Sequence, residues 1–406
     1  MSFAQYSEKN YLYRVSDQRG HKANYNKSLR VLLLSVSRKM DSCLAVYYII
    51  SLLSMVFFTS NYAQYEASVA KPKPSALFVF GDSTVDAGNN NFIKTTFKSN
   101  FPPYGRDFVN HVPTGRFTNG RLASDFIASY AGVKDIMPAY LDPTIGIEDL
   151  MTGVTFASAG TGFDPLTATL SSVISLEQQM EYFKEYKSKI EMLIGKESTH
   201  ELITKAVFLI SAGTNDFIVN YYGLGEAVDQ YIYPNVTSYS DFLLQNVENF
   251  IKELMNQGAR KIAMVGLPPM GCLPVVITLN KDAATHGRKC VEPMLSVAIE
   301  YNIILENKLK AMQTAETKLY YADIYKPILD MIQFGERKLG FEEVSTGCCS
   351  SGYIEAGILC NINSPVCDDA SKYVFWDSVH PTESAYHYVF TTVRPVVDMV
   401  LNDYIN

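Results

Sequence analysis

Ala76–Phe80, Val154–Ala157, Ala206–Ser211, Lys261–Gly266 and Leu319–Ile324 are short, mainly apolar runs with helix-length segments between them. A strand with one wet face alternates apolar and polar residues, and these runs do not, so they read as strands covered on both faces. The segments between them place apolar residues at helical spacing, as at Leu176, Met180, Phe183, Ile190 and Leu193, and at Leu295, Ile299, Leu305, Leu309 and Met312. Buried strands alternating with amphipathic helices predict an α/β fold, a three-layer α/β/α sandwich around a central parallel sheet. With 406 residues, 47% of them hydrophobic and 19% charged, the chain can bury such a core, and bulk disorder is excluded. A formal net charge of -7 offers no general basic surface, which argues against a nucleic-acid partner.

The first 70 residues stand apart. Eight Lys and Arg residues lie within 1–39 against only Glu8 and Asp17, a local charge of +6. An apolar run from Cys43 to Phe58, broken only by Ser51 and Ser54, follows Arg38-Lys39 and gives way to a small, polar stretch. A basic flank, a short apolar centre and a small-residue exit have the form of a secretory signal. The run is shorter than the ~20 residues of a comfortable membrane span, so cleavage is favoured over a signal anchor at residues 43–58. The expected organisation is a basic extension over 1–39, a signal peptide and short linker over 40–70, and one domain over 71–406. The expected location is extracellular, without stable membrane insertion. Cutting near Ala63 or Ala70 removes Cys43 and leaves six Cys, the natural number for three disulfides in an oxidising compartment. Adjacent Cys348 and Cys349 should bond to different partners, with Cys360 and Cys367 nearest. Asn235-Val236-Thr237 is a glycosylation acceptor.

Ligands of open parallel sheets bind beyond the carboxyl ends of the strands, and the residues there are small and polar. The first run ends Phe80-Gly81-Asp82-Ser83, the second Ala157-Ser158-Ala159-Gly160-Thr161-Gly162, the third Ser211-Ala212-Gly213-Thr214-Asn215-Asp216. Trp376-Asp377-Ser378-Val379-His380-Pro381 stands near the C-terminus, ahead of a helical stretch for which Pro381 is a suitable first residue. A serine nucleophile needs a base, an acid to orient that base and donors for an oxyanion. Ser83, His380 and Asp377 fill the first three roles, and the Ser83 and Gly160 backbone N–H groups with the Asn215 amide fill the last. Asp377 and His380 are three apart, so one helical turn would put them on one side. Each feature has a plainer reading alone, Ser83 as a helix cap and residues 377–380 as a solvated turn; their joint occurrence in this order outweighs it.

Phe80-Gly81-Asp82-Ser83-Thr84-Val85-Asp86-Ala87-Gly88-Asn89-Asn90-Asn91, Val154–Gly162, Gly213-Thr214-Asn215-Asp216 and Asp377 to His380 resemble the four signature segments of the plant GDSL esterase/lipase family, within the SGNH hydrolases. The resemblance spans about 75–400. It implies a flavodoxin-like fold, Ser83 as nucleophile, His380 as base, Asp377 as its partner, and an oxyanion hole from Ser83, a glycine N–H and Asn215. Thr84 replaces the Leu of the family's name. Ala159-Gly160 stands where the family often has Gly-Gly, which leaves the Ala159 and Gly160 amides both open, with Gly160 favoured.

The expected function is a secreted serine esterase/lipase that acts on small-molecule or lipid esters through an acyl-enzyme, with no cofactor and no metal. The alternatives are an acyltransferase acting on cell-wall or cutin-type hydroxyls, or a catalytically silent wall-binding protein. Pro102-Pro103-Tyr104-Gly105-Arg106 and Gly115-Arg116-Phe117-Thr118-Asn119-Gly120-Arg121 read as loop scaffolding, with the Arg residues pairing acidic neighbours. His111, His200, His286 and His387 read as surface or helix positions.

Overall fold

The computed structural model describes residues 73–223, 233 and 235–403, together with Tyr47, Ser51, Leu52 and Met55. The chain divides into two units, Met1–Lys71 and Pro72–Asn406. The four described residues of the first unit are helical. The basic stretch over 1–39, the rest of the apolar run over 43–58 and the expected cleavage region lie outside the described residues. Among the described residues, no helix is long and apolar enough to cross a membrane.

In the second unit the elements that build the site are, in chain order, β1 (Leu77–Gly81), α1 (Ala123–Tyr130), α2 (Leu176–Ile194), β2 (Val207–Ser211), α3 (Val236–Asn256), β3 (Lys261–Val265), α4 (Glu292–Met312), β4 (Lys318–Ala322), β5 (Glu343–Gly347), β6 (Tyr373–Phe375) and α5 (Glu383–Asn402). Four strands pair in parallel in the order β1-β2-β3-β4. Both faces of this sheet are covered, which is why the strand sequences do not alternate with polar residues. Phe78, Phe80, Phe208, Ile210, Ile262 and Met264 share a core cluster with side chains of α2, α3 and α4. Leu77, Val79, Val207, Leu209, Ala263 and Val265 form another with Ala128 of α1 and Val400 of α5. The chain is thus a three-layer α/β/α sandwich.

The two faces are filled differently. On the first, aromatic rings interlock, with Phe78 and Phe183 centroids 5.4 Å apart and Phe183 and Phe208 5.5 Å apart, both edge to face. Burying one such side chain contributes about 1.5–3 kcal/mol, and its ring pairs about 0.5–1.5 kcal/mol more. On the second face small aliphatic residues leave a cavity of about 130 Å³ under α5, lined by Leu77, Leu209, Ala263, Ala322, Val393 and Val400 among others.

The run over 154–157 departs from expectation. It forms isolated parallel bridges, to β1 at Val79 and to Ala139, both through Thr155, with Phe156 N–H donating to Val79 O at 2.7 Å and Ser158 N–H to Gly81 O at 2.9 Å, and no continuous strand. Its outer side is occupied by other partners: the Asn89 amide donates to Thr155 O and Ala157 O, and Tyr140 N–H also donates to Thr155 O. Two apolar positions assigned to helix cores, Leu193 and Ile299, are exposed. β5 and β6 form a separate parallel pair that sequence reasoning did not anticipate.

The strand connections place the site. From β1 the chain moves outward to 154–158 and then crosses to β2 on the other side of β1. The carboxyl ends of β1 and β2 therefore flank a topological switch point, where open parallel sheets form their ligand crevice.

Candidate active site

β1 ends at Gly81, whose φ of +137° and close approach to β2 leave no room for a side chain; a Cβ there would lie 1.8 Å from Ser211 O. The chain then turns. Asp82 N–H donates to Ser211 O at 2.9 Å, and Asp82 Oδ1 accepts from Thr84 N–H at 2.9 Å and from the Thr84 hydroxyl at 2.7 Å. Ser83 is held at the crown of this turn, at the carboxyl end of the sheet.

His380 Nε2 lies 2.8 Å from Ser83 Oγ. His380 Nδ1 lies 2.8 Å from Asp377 Oδ2 and 2.9 Å from Oδ1, so Nδ1–H donates to the carboxylate and Nε2 is left to accept the serine proton. Residues 377–380 form no helical turn, in contrast to the expectation. Asp377 Oδ1 instead accepts from Val379 and His380 N–H, both at 2.8 Å, and this side-chain-closed turn is buried. Pro381 is not the first residue of α5; Thr382 caps that helix by accepting from Ala385 N–H. His111, His200, His286 and His387 are all exposed, whereas His380 is buried.

Ser83, Gly160 and Asn215 line one cleft. The Ala159 N–H is committed to Asp86 Oδ2 at 3.0 Å. The Ser83 and Gly160 N–H groups make no hydrogen bond to another described residue. Gly160 has a φ of +91°, a conformation that L side chains rarely adopt. Asn215 donates one amide hydrogen to Thr161 O at 2.9 Å, which fixes the side chain and leaves the second hydrogen available. A carbonyl attacked by Ser83 would find there the donors that a developing oxyanion requires.

The profile of the GDSL-like Lipase/Acylhydrolase family matches residues 77–393. Three GDSL esterase/lipases of Arabidopsis thaliana are similar to the chain: one is 50% identical over 82% of this chain and 89% of its own, a second 47% over 78% and 88%, a third 42% over 86% and 95%. The chain belongs to the GDSL-like lipase/acylhydrolase family.

Within this GDSL chain, the departure at position 84 has a structural use: the Thr84 hydroxyl bonds Asp82 Oδ1 and, at 2.8 Å, Ser211 Oγ, tying the turn after β1 to the end of β2. The signature asparagines work as staples. Asn90 Nδ2 donates to Phe97 O and Ala159 O, and Asn91 Nδ2 to Thr114 O. Buried Asp216, next to Asn215, accepts from Phe163 and Asp164 N–H and from the Thr167 hydroxyl, so it shapes the loop that carries Gly160. Burial pushes its carboxyl up to about 7, and those of Asp82 and Asp86 to about 6.

Sequence reasoning missed Tyr104. Its hydroxyl, fully buried, donates to Asp377 Oδ2 at 2.7 Å and accepts from Gly357 N–H at 2.8 Å. Burial beside Asp377 pushes the phenol well above its ordinary range, so it stays a donor. The expected Arg pairings are present: Arg116 holds Asp125 bidentately at 2.9 and 2.8 Å, and Arg121 meets Glu383 at 3.1 Å. Over Ser83 and His380 opens a cleft of about 620 Å³, walled by Phe97, Val219, Val276, Leu279, Ile354 and Ile358 among others.

Proposed function

We infer that this chain is a secreted serine hydrolase that cleaves carboxylic esters through an acyl-enzyme. Ser83 Oγ attacks the ester carbonyl while His380 Nε2 takes its proton; His380 then gives that proton to the departing alcohol. Asp377 holds the imidazole in the tautomer that accepts from Ser83 and favours the imidazolium formed on the way. The N–H groups of Ser83 and Gly160 and the Asn215 amide bind the oxyanion, and water repeats the cycle on the acyl-enzyme. The unbroken 2.8 Å contacts from Asp377 through His380 to Ser83 carry this reading.

Three disulfides, Cys272–Cys290, Cys348–Cys367 and Cys349–Cys360, support an oxidising compartment and hence secretion after loss of the N-terminal signal. Asn235 of the glycosylation acceptor is exposed. The deciding experiment is turnover of p-nitrophenyl esters of graded chain length by the secreted chain and by Ser83→Ala. The parent should cleave them with a burst of p-nitrophenol as the acyl-enzyme forms, and Ser83→Ala should lose activity without loss of melting temperature. Equal turnover by the two proteins would remove Ser83 from the mechanism.

A further inference from the structure

Residues 350–366 form a loop closed at its ends by Cys348–Cys367 and tied at its middle by Cys349–Cys360. Within ten residues it carries Tyr353, Ile354, Ile358, Leu359 and Ile362, all exposed, Ile362 at 73%. Contiguous exposed apolar side chains are costly to solubility and mark contact surfaces. Here the clamps prevent the loop from turning them inward. The loop's single charged residue, Glu355, is turned back on the loop itself, accepting from the Ser351 hydroxyl at 2.8 Å and from Tyr353 N–H at 3.1 Å. The outer face is therefore mainly apolar, its nearest charge being the Arg288 guanidinium, which stacks 4.3 Å from the Tyr353 ring centroid, on a chain of net charge -7.

The face is continuous with the cleft, because Ile354, Ile358 and Leu359 wall it beside Ser83, Gly160 and His380. That continuity identifies the occupant. A protein partner or a second copy seated on this face would cap the cleft, whereas a condensed apolar ester phase would be brought to Ser83. We propose that the disulfide-clamped loop 350–366 is the docking face by which the enzyme adsorbs to aggregated, water-insoluble lipid esters. This rests on the hydrolase reading above and names its substrate class: esters presented at an apolar surface in preference to dissolved ones.

The test uses tributyrin, dissolved and as an emulsion, and a double substitution outside the cleft, Tyr353→Asp with Ile362→Asp. The Ser83→Ala chain should float with the droplets, and adding the double substitution should weaken this adsorption about tenfold or more, since two apolar side chains lose their burial. In the active chain, the rate should climb above the saturation curve of dissolved ester once droplets form. The double substitution should abolish that climb and keep p-nitrophenyl acetate turnover within about twofold, because it lies outside the cleft. If the double variant also loses turnover of the dissolved ester, Ile362→Ser is read by the same two measurements. A chain that stays off the droplets, or adsorption that the substitutions leave unchanged, overturns the docking face. A chain that adsorbs but cleaves neither the dissolved nor the emulsified ester overturns the hydrolase reading instead.

Discussion

At the scale of single residues, the site depends on which hydrogens are already committed. Asn215 holds one amide hydrogen on Thr161 O and offers the other, so Asn215→Ala should lower kcat about 10²–10³-fold with a smaller change in KM, as removal of an oxyanion donor does. Steady-state kinetics that show a loss confined to KM would make Asn215 a ground-state binding residue. Tyr104 acts through Asp377. Replacing it with Phe removes a hydrogen bond to a charged group, worth about 1.5–3 kcal/mol, and should lower kcat roughly tenfold or more. A carboxylate with one donor fewer stabilises the imidazolium better, so the acid limb of the kcat/KM profile should move to higher pH; a lower rate with an unmoved limb would make Tyr104 mere packing. Ser83, Asn215, Asp377 and His380 were legible because each stands in a local signature at a strand end or ahead of a helix. Tyr104 was not, because the group it serves lies 273 residues along the chain and nothing near Pro102-Pro103 announces it.

Among the elements, the strand runs were legible to within a residue or two because continuous apolar stretches have few other uses. The run over 154–157 forms only isolated bridges, to β1 at Val79 and to Ala139, while the Asn89 side chain takes Thr155 O and Ala157 O, a mixture of backbone and side-chain partners that sequence patterning does not carry. β5 was hidden because Glu343-Val344-Ser345-Thr346-Gly347 is polar and its pairing with β6 leaves it half-buried. The Gly115 to Arg121 segment is scaffolding of a demanding kind. Arg116 and Asp125 are both buried, and Asp125 also accepts from Leu122 and Met137 N–H, so the pair pins α1 under the site. Asp125→Ala leaves an unpaired guanidinium in the interior and should cost about 3–5 kcal/mol, seen as a lower urea midpoint. A variant within about 0.5 kcal/mol of the parent would mean that Arg116 finds water on its own.

For the whole molecule, three buried carboxyls set how stability answers to pH. Asp82, Asp86 and Asp216 are pushed up to about 6, 6 and 7 by burial, while the unfolded chain titrates near ~3.9. Between these values the folded state holds protons that the unfolded state has released. Their contribution to stability is thus full below the unfolded value and is lost as pH rises through 6 to 7. Asp82→Asn keeps the bonds at Oδ1 and never ionises. It should gain up to about 3 kcal/mol on the parent near neutral pH, each tenfold rise in the proton affinity of the buried carboxyl being worth about 1.4 kcal/mol, with the gain fading towards pH ~4. Urea midpoints of both proteins across that range check this, and a pH-independent difference would assign the effect to packing. The layered fold itself was legible from alternating runs and helices, but the unequal filling of its two faces was not, since helix placement decides which side chains meet. That inequality carries into mechanics. Hydrostatic pressure favours whatever state eliminates internal voids, and the cavity under α5 lies on the aliphatic side of the sheet, reaching Ser83 and His380 at one end. Compression should therefore loosen α5 from the sheet while the interlocked rings opposite still hold, so the molecule has a soft side and a stiff side.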